Sequence, residues 1–319
     1  MATTDKRFYH KQNHLKQLRA FCNAAQTGSI SKAAEQMYLS QPSISLLVKA
    51  LEKDMGGLLF DRRGPRIQLT EEGRILLDLA LPLVEGLETL REAFIERCNN
   101  HVSGELNIAA GESTILYILP GIIKQFKTAY PHIQVKLSNV TGRDGLALLR
   151  NGMVDFAVGS MLDVPDDIIY IPTISYDPKL ITAIDHPLAK QKTVTIQDIG
   201  QYGLILPPRH LTTWRMVDLV FKQHNVEYSV ALEAGGWEVI KKYVAMGLGI
   251  SIVTSICLSD NDSLAKISLN KYFPMRNYGL VVRRGKFLSP AARRFFSMMD
   301  KNVLDRFHKL SDKINMKMA

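Results

Sequence analysis

Cysteine is scarce: Cys22, Cys98 and Cys257 are the only three in 319 residues, and they lie far apart. So sparse and odd a set argues against a disulfide scaffold and a zinc ribbon and suits a reducing compartment. Long apolar runs are missing as well. No window reaches the ~18 uncharged apolar residues of a membrane helix. The opening MATTDKRFYHKQNH is polar where a signal peptide would be apolar. A cytoplasmic chain with no membrane partner is expected. The eight histidines, His10, His14, His101, His132, His186, His210, His224 and His308, show no ligand spacing, so no metal and no cofactor is expected. There is no G-x-S-x-G elbow, no G-x-x-x-x-G-K-[ST] loop and no H-E-x-x-H pair, so no catalytic residue is assigned and an enzyme is not expected.

What is present is an ordinary globular composition, 46% hydrophobic and 22% charged, which excludes a mainly disordered chain. The length suits two or three domains of ~100–200 residues each. The formal charge is +9, and it is unevenly placed. Residues 1–69 hold 11 Lys and Arg against 5 Asp and Glu; residues 70–103 hold 3 against 7; residues 104–270 are near neutral; residues 271–319 hold 12 against 3. A basic head, an acidic neck, a neutral body and a basic tail follow, and the basic ends suit a polyanionic partner.

In the head, Leu15, Leu18, Phe21, Cys22 and Ala25 recur at helical spacing, and Gly28 ends that helix. Ser29 or Ser31 then caps a second helix with Ala33, Ala34 and Met37 inward. Ser40 caps a third, Pro42 sits in its first turn, and Ile44, Leu47, Val48 and Leu51 form its buried stripe. Gln41, Ser43, Ser45 and Lys49 are left outward. Two helices joined by a tight turn, the second with a small polar tip, form a helix-turn-helix signature. A helix N-terminus offers free N–H groups to phosphate, and short side chains let it reach base edges. Two short strands, Leu58-Leu59-Phe60 and Ile67-Gln68-Leu69, flank a turn with Arg62, Arg63 and Arg66, suited to a wing that grips DNA. Any small helical module could show one of these features; the ordered set is far more specific.

From Leu15 to about Leu90 the chain closely resembles the DNA-binding end of LysR-type transcriptional regulators, above all in SQPSIS and in F-D-R-R-G…LTEEG. It departs at Gly56-Gly57, where the family usually has one glycine followed by a larger residue. In the neck, Thr70-Glu71-Glu72-Gly73 caps a helix expected to reach about Asn99, with a kink at Pro82. Its stripe, Leu76, Leu77, Ala80, Leu83, Val84, Leu87, Leu90, Phe94 and Ile95, needs either a partner helix from a second subunit or its own domain to cover it. The resemblance implies a linker helix and a homodimer, and two dimers are expected to assemble into a homotetramer.

From Glu105 the pattern alternates strands with helices and predicts a parallel α/β sheet. The expected division is 1–69 for a winged helix-turn-helix domain, 70–103 for the linker and 104–319 for a body in two lobes. Lobe I takes about 104–175 and 270–300, lobe II about 176–269, and 300–319 form a helical tail with Val303, Leu304, Phe307, Leu310 and Ile314 at helical spacing. The body resembles the family's effector domain, built like a periplasmic solute-binding protein, in Tyr117-Ile118-Leu119-Pro120, Asp185-His186-Pro187-Leu188 and Gly247-Leu248-Gly249-Ile250. Ligands in such sheets sit beyond the carboxyl ends of strands. Gly111, Ser113, Thr114, Thr141, Arg143, Arg209, Thr212, Gly236 and Trp237 fall there and suit a small anion or carboxylate. Taken singly, the hydroxyls could be no more than helix caps, and Trp237 could equally fill the core. V-I-K-K-Y-V-A-M-G-L-G and Thr212 resemble the cysteine-regulon branch, which holds sulfate with a Thr and a Gln where Ser113 and Thr114 stand; Gly111 and Glu112 depart from it. The expected function is effector-modulated binding of double-stranded DNA; the alternative is a cytosolic solute-binding sensor without DNA function.

Overall fold

The structure, a computed structural model, describes residues 5–61, 67–99 and 104–315. The head holds α1 (Asp5–Thr27), α2 (Ile30–Gln36), α3 (Gln41–Met55), β1 (Phe60–Asp61) and β2 (Gln68–Leu69). The first helix starts at Asp5, earlier than the periodicity from Leu15 indicates. Ser29, not Ser31, caps α2 by accepting from the Lys32 N–H; Ser40 caps α3 by accepting from the Ser43 N–H. Phe21, Ile44, Leu51, Leu59 and Phe60 are fully buried together, with the Phe21 and Phe60 rings 5.4 Å apart. The expected three-residue strands shrink to two pairs, Phe60 with Leu69 and Asp61 with Gln68.

Thr70 joins wing to linker. Its hydroxyl donates to the Leu58 carbonyl at 2.7 Å and accepts from the Gly73 N–H at 3.0 Å. A Cβ on Gly73 would stand 2.1 Å from the Leu59 carbonyl oxygen, so only glycine allows this approach. Gly73→Ala is expected to destabilise the head by about 1–3 kcal/mol. Calorimetry would show its melting transition lowered and that of the body unmoved.

The neck is two helices, α4 (Glu71–Glu88) and α5 (Leu90–Asn99), not one. α4 continues through Pro82, and the interruption falls at Thr89. There the hydroxyl donates to the Glu85 and Gly86 carbonyls, a local bond that competes with continuation of the helix. The apolar stripe also divides. Leu77, Ala80, Leu81 and Val84 close the head's own core. Ile75, Leu79, Leu83, Leu87, Leu90 and Phe94 stay exposed, three or four residues apart.

The body begins with β3 (Gly104–Ala110), α6 (Leu119–Ala129), β4 (Ile133–Asn139), α7 (Gly142–Arg150), β5 (Phe156–Gly159) and β6 (Ile168–Tyr176). The chain then builds β7 (Pro178–Thr182), α8 (Ile196–Gly200), β8 (Leu204–Leu206), α9 (Thr212–Gln223), β9 (Val230–Glu233), α10 (Trp237–Ala245), β10 (Ser251–Thr254) and β11 (Ala265–Ser268). It returns through β12 (Arg276–Arg283) and ends in α11 (Pro290–Met299) and α12 (Val303–Asn315).

The lobe I sheet runs β4-β3-β5-β12-β6. β3 is parallel to β4 and β5, but β12 is antiparallel to β5 and β6. In lobe II, β7 lies antiparallel between β10 and β11, and β8 is parallel to β9. The wholly parallel sheet is therefore corrected to a mixed one. β6 leaves lobe I and β12 returns to it, so the two crossings run in opposite directions. β6 and β12 escape the sequence pattern because Pro172, inside β6, and the bulge at Tyr278/Gly279 in β12 obscure the alternation. The tail helix supplies Val303 and Phe307 to the lobe I core beside Phe126, Phe156, Phe295 and Phe296. No helix among the described residues is long and apolar enough to cross a membrane.

Candidate DNA-reading tip and effector cleft

The polar tip assembles around the start of α3. The Ser31 hydroxyl donates to the Gln41 Oε1 at 3.2 Å, tying α2 to α3, and the Ser40 and Ser43 hydroxyls are 2.8 Å apart. Ser31, Ser40, Gln41, Pro42 and Lys49 are exposed, with Ser43 and Ser45 half-buried beside them. Arg62, Arg63 and Arg66 lie outside the described residues. Sequence reasoning misses two neighbours. Tyr38, in the turn before α3, is 95% exposed with φ 54°, and Leu46 projects from α3 into solvent. An apolar residue breaking the polar face of a recognition helix is the available signal, because such a group can meet a thymine methyl.

Between the lobes lies a cleft of about 770 Å³. Its walls are the segments that follow β3, β4 and β5 of lobe I and β8 and β9 of lobe II. Gly111, Ser113, Thr114, Thr141, Arg143, Thr212, Gly236 and Trp237 all line it. Arg209 does not; its guanidinium lies 5.1 Å from the Trp214 ring centre. Ser113 and Thr141 stand just before helices, but neither side chain makes a capping hydrogen bond to the backbone; Thr141 donates instead to the Asp144 carboxylate at 2.6 Å. Trp237 both lines the cleft and packs on the lobe II cluster around Ile240 and Val253.

Arg276, Arg215, Asn139 and Tyr278 also line the cleft, beyond the residues that the sequence points to. In sequence Arg276 belongs to the basic tail, and only the antiparallel return of β12 brings it here. Glu112 reaches across to the second lobe. Its carboxylate oxygens lie 3.1 and 3.2 Å from where a Gly236 Cβ would stand, so a side chain there would push it away. Gly236 also has φ 82°, which other residues resist. The cleft thus carries Arg143, Arg215 and Arg276 against Glu112 and Asp163.

Side-chain hydrogen bonds cross between the lobes. The Arg276 Nη1 donates to the Thr213 hydroxyl at 2.8 Å, and the Tyr117 hydroxyl donates to the Glu238 carboxylate. Lys241 holds Glu238 at 2.8 Å and Asp262 at 3.2 Å, and it donates to the Cys257 carbonyl at 2.8 Å. Burial alone would raise the Glu238 carboxyl, but the hydrogen bonds from Lys241 and Tyr117 outweigh it and hold the group below its ordinary value. A lowered carboxyl contributes its stability above the unfolded value of about 4.3 and loses it as pH falls further, so this latch is unchanged around neutrality. Burial pushes the Cys22 and Cys257 thiols up to about 12, leaving both protonated and unreactive.

The far end of β12 touches the neck. Arg283 donates to the Glu85 carboxylate of α4 at 2.8 Å, and Lys286 reaches the same carboxylate at 3.0 Å. Glu85 and Arg283 are buried, and Lys286 is partly buried. One strand therefore has Arg276 in the cleft and Arg283 on the linker helix.

A helix-turn-helix tip joined to a two-lobed body with a charged cleft defines a DNA-binding regulator that senses a small molecule. The chain belongs to the LysR family of bacterial transcription regulators. Residues 15–74 match the lysR-family bacterial regulatory helix-turn-helix protein, and residues 99–303 match the LysR substrate binding domain. A probable RuBisCO transcriptional regulator of Trichormus variabilis is 29% identical over 290 residues, covering 88% of this chain and 86% of its own. The regulator cbl of Escherichia coli K12 is 28% identical over 290 residues, covering 89% and 92%. A full-length OxyR variant from Pseudomonas aeruginosa has the same fold, with a TM-score of 0.72, 21% identity, and coverage of 90% of this chain and 93% of that one.

Proposed function

We propose that this regulator is controlled by a small anionic or carboxylate effector bound between the lobes. The observation that carries the reading is β12, with a cationic side chain in the cleft at one end and a buried ion pair to the linker helix at the other. Hydroxyls of Ser113, Thr114 and Thr212 and the cations Arg143 and Arg276 would hold the anion. Residues 1–69 read DNA, 70–103 join subunits and 104–319 sense, in the cytoplasm and without catalysis. Gln41, Ser43 and Ser45 would choose bases; Ser31, Ser40, Lys49, Arg62, Arg63 and Arg66 would grip phosphate. Ligand closure of the lobes would shift the population of subunit angles and with it the fit to DNA.

The exposed row from Ile75 to Phe94 supports a dimer through the linker helices, and two such dimers would form the tetramer. Leu83→Arg is expected to yield smaller species in light scattering and to weaken operator binding, because two half-sites would no longer be read together.

The test of the effector reading is a thermal-shift screen of the full chain against small anions and carboxylates. A ligand at 100 times its dissociation constant stabilises by about 2.7 kcal/mol. Arg276→Ala or Ser113→Ala is expected to abolish the shift. A hit that both variants retain would place the ligand elsewhere and overturn the assignment.

A further inference from the structure

Behind the cleft, on the hinge side, lies a second cavity of about 170 Å³. It is bounded by Ser160–Leu162 after β5, Pro178 at the start of β7, the first turns of α9, the end of β10 and the segment entering β12. It therefore touches both lobes and both crossings. Its wall is apolar and soft: Met161, Met216, Met275, Phe273 and Ile252 contribute to it. Thioethers adapt to ring faces and edges, and an apolar cavity of about 150 Å³ takes a benzene ring.

Two polar groups on this wall lack partners. The Thr254 hydroxyl, on a residue only 6% exposed, and the Arg276 Nε are buried and make no hydrogen bond among the described residues. Buried donors without partners are costly, and most in folded proteins are satisfied. One is a hydroxyl and the other an N–H of a charged guanidinium, so the group that completes them is an acceptor, best an anionic one.

We propose that this cavity is a second ligand site, distinct from the main cleft, for a small aromatic carboxylate. The ring lies among the methionines and Phe273; the carboxylate meets the Thr254 hydroxyl and the Arg276 Nε. Arg276 and Thr213, bonded to each other, line both this site and the cleft, as do Ser160, Met161 and Leu162. An occupant that fixes Arg276 from behind also fixes a residue of the cleft wall and a hydrogen bond between the lobes. The second site is thereby coupled to the first, whatever the first holds.

The experiment is a fluorine NMR titration of the full chain with 4-fluorobenzoate. Saturable binding is expected at one probe per chain. Met216→Trp, which fills the cavity, is expected to weaken it at least about tenfold, the discrimination a filled or emptied apolar pocket commonly gives. Met275→Trp, at an exposed rim position, serves the same purpose with less demand on the fold. Thr254→Val is expected to weaken binding severalfold at nearly constant shape. Arg143→Ala, in the main cleft, is expected to leave the probe's affinity as it was. No saturable binding to the unmodified chain would overturn the proposal. So would binding lost in Arg143→Ala and retained in both tryptophan variants, which would place the probe in the cleft.

Discussion

Replacing Glu85 by alanine is expected to cost about 3–5 kcal/mol, because it leaves the buried Arg283 and the partly buried Lys286 without their carboxylate. The loss has a specific signature. Removing one partner of a buried pair strands a charge, whereas removing both sides does not. Glu85→Ala combined with Arg283→Met and Lys286→Met is therefore expected to melt well above the single variant. The function should not return with the stability. Without the ion pair, β12 no longer holds α4, and an effector should still bind while its influence on DNA affinity falls away. Calorimetry of the single and triple variants, with DNA affinity measured with and without ligand, checks both parts. Equal melting of the two variants, or an undiminished ligand response in the triple variant, would show that Glu85 is not the joint between body and neck.

The second large effect belongs to the wing. Arg62→Ala, Arg63→Ala and Arg66→Ala together are expected to weaken DNA binding on the order of a hundredfold or more, since each charge-assisted hydrogen bond is worth about 1.5–3 kcal/mol. The plot of log affinity against log salt should become shallower by about 2–3 units, near one for each phosphate no longer neutralised. Gln41→Ala, by contrast, should relax sequence preference while leaving the salt slope nearly unchanged. Ligand-induced stabilisation of the body should survive in both. A triple variant with an unaltered salt slope would remove the wing from the interface.

Local chemistry makes the head legible. Ser40, Pro42 and Thr70 announce helix starts through caps and a first-turn proline, and the structure places those starts at Gln41 and Glu71. The cleft loops are legible for a related reason: glycines and hydroxyls after strands mark the carboxyl edge of a sheet. What cannot be read depends on distant pairing. Whether Ser113 caps a helix or faces a cavity is decided by the lobe opposite, not by its neighbours in sequence. β12 is antiparallel only because the chain crosses to lobe II and back, so in sequence Arg276 looks like part of a basic tail. Glu85 looks like one acid of an acidic face, yet Arg283 and Lys286, about two hundred residues later, meet it. The linker stripe reads as one surface because periodicity counts apolar residues without saying which side the head already covers. Position after β8 points Arg209 to the cleft, but its guanidinium lies over the Trp214 ring and not in the cleft wall.

The most direct test of the account is selection of double-stranded sequences from a random pool by the full chain. The account predicts enrichment of a two-fold-symmetric motif with half-sites one or more helical turns apart, relaxed in base preference by Gln41→Ala and lost in the triple arginine variant. Failure to enrich any motif, or a motif kept unchanged by both variants, would contradict it.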